Sequence, residues 1–160
     1  MKAIVCKSYG PPENLVLEEV EDLKPGNGEA LVEVYAAALN FPDTLQIAGK
    51  YQYQPPFPFI PGSEAGGIIR KLGPTVKGFD TGDRVMANPG IGAMAEQVCV
   101  PFGRLRKIPN SMSFRTASGF PMVYTTSYYA LKQRAKLQTG ATLLVLGASG
   151  GVGVAALALG

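Results

Sequence analysis

The chain has 160 residues, 46% hydrophobic and 17% charged, so it carries the material for a core and is not a disordered segment. Its net charge of +3 comes from scattered basic residues. The densest run, GRLRK (103–107), lacks interleaved aromatics and reads as a solvated strand edge, so no nucleic-acid partner is expected.

There is no histidine, and the two cysteines, Cys6 and Cys99, have no CxxC spacing. They read as small buried thiols in a reducing compartment, and a cytoplasmic location is expected. The opening MKAIVCK has no long apolar run and reads as a strand rather than a signal peptide. Leu15–Val20 is a second strand, and KPGNGE after it supplies turn geometry. From Glu29 to Leu39 the alternation of Leu31 and Glu33 against Val32 and Val34 predicts a half-buried strand. FPDTLQIAG predicts a short helix with Pro42 near its start and Gly49 as its stop. The next stretch, KYQYQPPFPFIPG, is too proline-rich for a regular element. Strands resume at Gly66–Leu72, Asp83–Ala87 and Ala95–Pro101, and so many short strands predict a small barrel or sandwich.

After Ser113 the texture turns helical, with a short helix at SFRTASGF and a longer one from Met122 to Leu137. TLLVL (142–146) reads as a buried strand, followed by a glycine loop and the helix-forming VGVAALALG. The uncharged run from Leu137 to Gly160 has the length of a membrane span, and Gly147 and Gly151 form a GxxxG. Its six glycines, each costing about 1 kcal/mol in a helix, argue against that, and no membrane partner is expected.

Gly147, Ala148, Ser149, Gly150, Gly151, Val152 and Gly153 lie between a predicted strand and a helix start. In that context glycines allow a tight turn, and unpaired helix-start amides can meet a pyrophosphate. A strict G-x-G-x-x-G is absent, because Val145 stands at the first position; a plain packing turn is the competing reading.

Taken together, MKAIV, ALNFPDTLQIAGKY, FPFIPGSEAGGII, GDRV, TSYYAL and GASGGVG occur in an order and spacing that resembles the zinc-independent quinone oxidoreductase branch of the medium-chain dehydrogenase/reductase superfamily. The resemblance covers the whole chain. It implies an α/β protein: a β-rich GroES-like barrel over residues 1–122, then, over 123–160, a connecting helix and the first strand–loop–helix of a truncated Rossmann (doubly wound) domain. Family members are about twice as long, so the chain resembles an N-terminal portion and is expected to be inactive alone, with little affinity for NADPH.

Zinc-dependent relatives carry a histidine ligand in a G-H-E triplet; here the triplet is Gly62-Ser63-Glu64. Without histidine no such zinc site can be built, and Glu64 reads as a hydrogen-bonded structural carboxylate. A missing Lewis acid suits hydride delivery from NADPH to an already electron-poor acceptor, a quinone or an enone. Within the resemblance, Tyr51 matches the tyrosine that lines the acceptor pocket and donates a proton in enoyl reductase relatives. Asn40 and Asp43 match an N-x-x-D at the cofactor cleft, and Thr126 a threonine near the nicotinamide. Each has a plain structural alternative: Tyr51 packed on the proline-rich loop, Asp43 capping a helix, Thr126 packing in mid-helix. Tyr53, Phe57 and Phe59 are candidates to line the acceptor pocket. The resemblance also implies a homo-oligomer, a dimer, and leaves two alternatives open: an enoyl or enone reductase, and a GroES-like binding module without turnover.

Overall fold

A computed structural model describes residues 1–160. The chain divides into two compact units, Met1–Gly119 and Phe120–Gly160.

In the first unit, β1 (Lys2–Val5) pairs antiparallel with β2 (Val16–Glu19), from Lys2 opposite Glu19 to Val5 opposite Val16. A five-stranded antiparallel sheet contains β3 (Glu29–Ala38), β4 (Glu64–Leu72), β5 (Arg84–Ala87), β6 (Gln97–Pro101) and β7 (Leu105–Lys107) in the order β6-β3-β4-β5-β7. Ala30, Val32, Ile69, Val85, Val98, Val100 and Leu105 point into one shared core and are almost fully buried. Glu33, next to Val32, lies on the other face and forms an ion pair with Arg70, as period-2 alternation requires. The GRLRK run divides as read: Leu105 is in the core and Arg106 and Lys107 are exposed on an edge strand.

The sheets do not close into the expected barrel. A four-step connection from Pro101 to Leu105 can span only about 15 Å. Four inter-strand gaps in a flat sheet would need about 19 Å. The sheet must therefore curl, yet its end strands β6 and β7 do not pair with each other. Each end strand extends the ladder it already has: the Phe102 N–H goes to the Gly28 carbonyl beyond β6 and β3, and the Ile108 N–H to the Arg84 carbonyl and the Asn88 N–H to the Arg104 carbonyl beside β7 and β5. Two isolated bridges tie the β1 segment to the rest of the unit: Ala3 pairs with Ala95, just before β6, and Cys6 pairs with Phe59 in the proline-rich stretch.

Two helices flank the sheets. In α1 (Phe41–Ile47), Pro42 sits in the first turn, and Gly49 ends the segment in the left-handed region, φ +69°. Helix α2 (Phe114–Ser118) is capped by Ser113, whose hydroxyl accepts the Thr116 N–H at 3.1 Å. It lies against β4 where a Cβ on Gly66 would come within 2.5 Å of the Phe114 carbonyl oxygen.

The second unit begins with α3 (Pro121–Tyr128). The predicted helix from Met122 to Leu137 is not uniform. Residues Tyr129–Arg134 widen to π geometry, with Ala135 N–H bonded to the Ala130 carbonyl five residues back, and Lys136 turns left-handed at φ +51°. The predicted strand over Thr142–Leu146 makes no ladder, because the unit contains no second strand to pair with. Leu144 and Leu146 are 80% and 86% exposed. The unit ends in α4 (Gly151–Leu159).

Gly67 fixes the spacing of the sheet's central pair: a Cβ there would lie 2.0 Å from the Glu33 carbonyl oxygen. Gly67→Ala is expected to lower stability by about 3 kcal/mol, read as a fall in urea midpoint at unchanged slope. A loss within experimental error would mean that β3 and β4 separate without cost.

Candidate active site

Strand β3 ends at Ala38, directly opposite Glu64, the first residue of β4. Two residues on, Asn40 adopts an extended backbone (φ −121°, ψ 155°) as the N-cap of α1. This register brings Asn40 and Glu64 together: the Asn40 Nδ2 donates to Glu64 Oε1 at 2.7 Å. Glu64 is 1% exposed, so the contact lies out of water and is strong for a hydrogen bond to a carboxylate. The structural reading of Glu64 holds in this respect.

Asn40 and Asp43 also meet. The Asp43 carboxylate accepts the Asn40 backbone N–H at 2.8 Å, and the Asp43 N–H returns to the Asn40 carbonyl at 3.0 Å. Asp43 therefore serves the helix start, as its capping alternative holds. It is buried, and burial raises its pKa above the ordinary carboxylate range, with the Asn40 N–H pulling the other way.

Tyr51 stands half-buried just past the Gly49 stop. Of the three candidate pocket aromatics, Phe57 packs edge-on against Tyr9 (4.6 Å between centroids) and stacks on Phe59 (5.6 Å). Tyr53 and Phe59 border an apolar groove of about 420 Å³, together with Leu23, Pro55, Ile91 and Cys99. Burial, reinforced by the Glu29 charge, pushes the Cys99 thiol up to about 11, and burial also raises Cys6; both cysteines are free. Such thiols stay protonated near neutral pH and are poor nucleophiles. No group of three or more histidine, cysteine, aspartate or glutamate side chains comes together.

In the second unit the glycine loop folds into a turn. Gly147 is left-handed at φ +70°, and its carbonyl accepts the Gly150 N–H at 3.1 Å. A Cβ on Gly153 would lie 2.4 Å from that same carbonyl oxygen, so the turn closes only over glycine. The first bond of the α4 ladder is Val154 N–H to the Gly150 carbonyl, 2.8 Å. The amides of Gly151, Val152 and Gly153 precede it and have no acceptor within the helix. Thr126 is exposed on α3.

Ser127 was not anticipated. Its buried hydroxyl donates to the Val152 carbonyl at 2.8 Å and joins α3 to the first turn of α4. The available signal was the spacing of Val123 and Ser127, one helical turn apart on one face. A Cβ on Gly151 would meet Val123 at 2.8 Å, so both residues face α4. Glu64 as the anchor of Asn40 depends on strand register, which no local pattern in the sequence encodes.

Residues 26–110 match the family model of the alcohol dehydrogenase GroES-like domain. The quinone oxidoreductase-like protein 2 homolog of Nematostella vectensis is 40% identical over 162 residues, spanning 99% of this chain and 43% of the relative. The crystal structure of the human synaptic vesicle membrane protein VAT-1 homolog-like protein is 41% identical, with a TM-score of 0.96 over 99% of this chain and 52% of that one. The quinone oxidoreductase of Thermus thermophilus, solved also in complex with NADPH, is 35% identical with a TM-score of 0.86, over 99% and 49% of the two chains. The chain spans less than half the length of the curated relatives it matches, from 37% to 48%. It belongs to the alcohol dehydrogenase GroES-like family, on the quinone oxidoreductase side of the medium-chain dehydrogenase/reductase superfamily. No helix is long and apolar enough to cross a membrane.

The raised pKa of Asp43 carries a sign that can be measured. The folded state holds this proton more tightly than the unfolded chain, so its contribution to stability is greatest below the ordinary aspartate pKa. That contribution is lost as pH rises through the folded value. Asp43→Asn keeps an oxygen for the Asn40 N–H and removes the charge. Urea midpoints should therefore show the variant gaining on wild type between pH 4 and pH 7, whereas Asp43→Ala should cost about 1 kcal/mol through the lost cap. An Asn variant whose offset from wild type is the same at both pH values would contradict this.

Proposed function

We propose that this chain is part of an NADPH-dependent, zinc-independent cytoplasmic reductase whose acceptor is a quinone or a similarly electron-poor carbonyl compound. The observation that carries the cofactor assignment is the turn from Gly147 to Gly153. It fits a pyrophosphate: its closure excludes a Cβ at Gly153, and three amides at a helix start stand outside the helix ladder. Ala148 and Ser149 fill the turn, and with Gly147, Gly150, Gly151, Val152 and Gly153 they would hold the diphosphate. The family resemblance extends the assignment to Asn40 and Thr126 at the nicotinamide end, with Asp43 acting through the Asn40 backbone it caps. The likeness to a quinone oxidoreductase solved with NADPH supports the same reading.

Bound NADPH supplies a hydride. The protein's part is then to orient the acceptor and to manage the proton that completes the hydroquinone. The absence of histidine from the sequence and of any three-ligand cluster supports a route without zinc. Tyr51 offers a phenol O–H. A quinone's reduced oxygens can take a proton from water, whereas carbon protonation of an enoyl substrate needs a positioned donor. Tyr51 thus separates quinone from enoyl reduction.

In the natural protein that contains this chain, 1,4-benzoquinone should be reduced faster than a crotonyl thioester. Tyr51→Phe should leave quinone turnover within about twofold and depress any thioester turnover by about 100-fold. Preferred turnover of the thioester would replace the quinone reading with the enoyl one, and no turnover of either would favour a binding module.

The 160-residue chain alone offers the pyrophosphate turn without the ribose-reading residue expected about 20 positions further on. Titration with NADPH, followed by nicotinamide fluorescence, should therefore give a Kd weaker than about 1 mM. Micromolar affinity would contradict the assignment of the missing contacts.

A further inference from the structure

Ser127 lies on α3 with 1% of its surface exposed, and its hydroxyl donates to the Val152 carbonyl at 2.8 Å. A serine inside a helix commonly turns its hydroxyl to a carbonyl three or four residues back. This one reaches instead to a different helix, 25 residues further along the chain. That helix, GVGVAALAL, has no polar side chain with which to fix its own rotation. Apolar packing, such as Val123 over the Gly151 position, is non-directional and leaves a helix free to roll or slide by small steps. The Ser127 hydrogen bond is directional and ties α3 to the second residue of α4. The turn that precedes this contact is open to solvent: Ser149, Gly150, Gly151 and Val152 are all exposed.

We propose that Ser127 is a positioning residue for the cofactor's diphosphate, a role that rests on the NADPH reading of the Gly147–Gly153 turn. By holding the Val152 carbonyl, Ser127 fixes the rotation of the first turn of α4. The exposed Gly151 and Val152 amides, which have no acceptor within the helix, take their directions from that rotation. A hydrogen bond to an anion weakens steeply as its donor turns away, so a small roll of α4 costs affinity even when the helix itself stays formed. Ser127 has no part in hydride transfer. Its loss therefore falls on cofactor binding and leaves the chemical step as it is.

The test uses the natural protein containing this chain. NADPH is titrated by nicotinamide fluorescence against wild type, Ser127→Ala and Ser127→Thr, with 2′-phospho-ADP-ribose, which keeps the diphosphate and lacks the nicotinamide, as a competitor. Quinone turnover and cofactor-free thermal midpoints are measured in parallel. Ser127→Ala should weaken both NADPH and 2′-phospho-ADP-ribose about tenfold. KM for NADPH should rise with them, while kcat at saturating NADPH stays within about twofold. Ser127→Thr, which keeps the hydroxyl, should restore both affinities to within about threefold. A bond that serves only the fold would lower the thermal midpoint of Ser127→Ala and leave both affinities unchanged, and that result would overturn the proposal. So would a loss of NADPH affinity that 2′-phospho-ADP-ribose does not share, because the lost contact would then lie at the nicotinamide. Wild-type protein that binds no NADPH would sink the cofactor reading itself, and the Ser127 role with it.

Discussion

The close passage of β4 between β3 and α2 is the constraint on which the first unit depends. Gly66 and Gly67 stand where the strand meets the Phe114 carbonyl on one side and the Glu33 carbonyl on the other, both nearer than any Cβ allows. Sheets normally gain from β-branched residues at such central positions, and glycine there gives up side-chain packing. The compensation is geometric. The pairing slips by one residue at Tyr35, where Val34 faces Gly67 and Ala36 faces Gly66, and then runs on to Ala38 opposite Glu64, which delivers Asn40 to a buried carboxylate. Core and candidate site are thus set by the same two residues.

The polar groups around Asn40 form a chain in which each contact limits the next. Glu64 holds the Asn40 carboxamide, Asp43 holds its backbone N–H, and the two carboxylates are almost fully buried. Burial is expensive for a charge, and the upward shift of the Asp43 pKa expresses that expense directly. Exposed ion pairs such as Arg70 with Glu33 involve the same chemical types but lie in water and contribute little to stability. The informative carboxylates are therefore the buried ones that contact Asn40, where loss of a partner would leave a polar group stranded.

Much of this was legible in the sequence, for local reasons. The strand over Glu29–Ala38, the Pro42 and Gly49 boundaries of α1 and the Asn40–Asp43 spacing are patterns within one element, and the structure contains them, although in the strand Ala30, Leu31 and Val32 are all buried where strict alternation was read. What failed was non-local. The barrel did not close: its end strands β6 and β7 do not pair with each other, and pairing between distant strands has no local signature. TLLVL has a strand's composition, but a strand exists only through its neighbour, and the second unit contains none. Glu64 as the anchor of Asn40 lay 24 residues away in sequence and became visible only once the register of β3 on β4 was known.

The glycine turn shows the same dependence at smaller scale. A glycine-rich loop reads as a phosphate cradle only if the helix after it is held in place. Here that helix is mostly small and apolar, so its own side chains give little grip. The grip comes from α3: Val123 sits over Gly151, where any side chain would collide, and Ser127 bonds the Val152 carbonyl. Gly151 therefore serves both close helix packing and an open amide, while Gly153 serves the closure of the turn. These glycines are not interchangeable flexibility. Gly147 sets a left-handed φ, Gly151 admits α3 and leaves an amide uncovered, and Gly153 excludes a Cβ. The turn's capacity to meet an anion follows from these separate restrictions acting within one short segment.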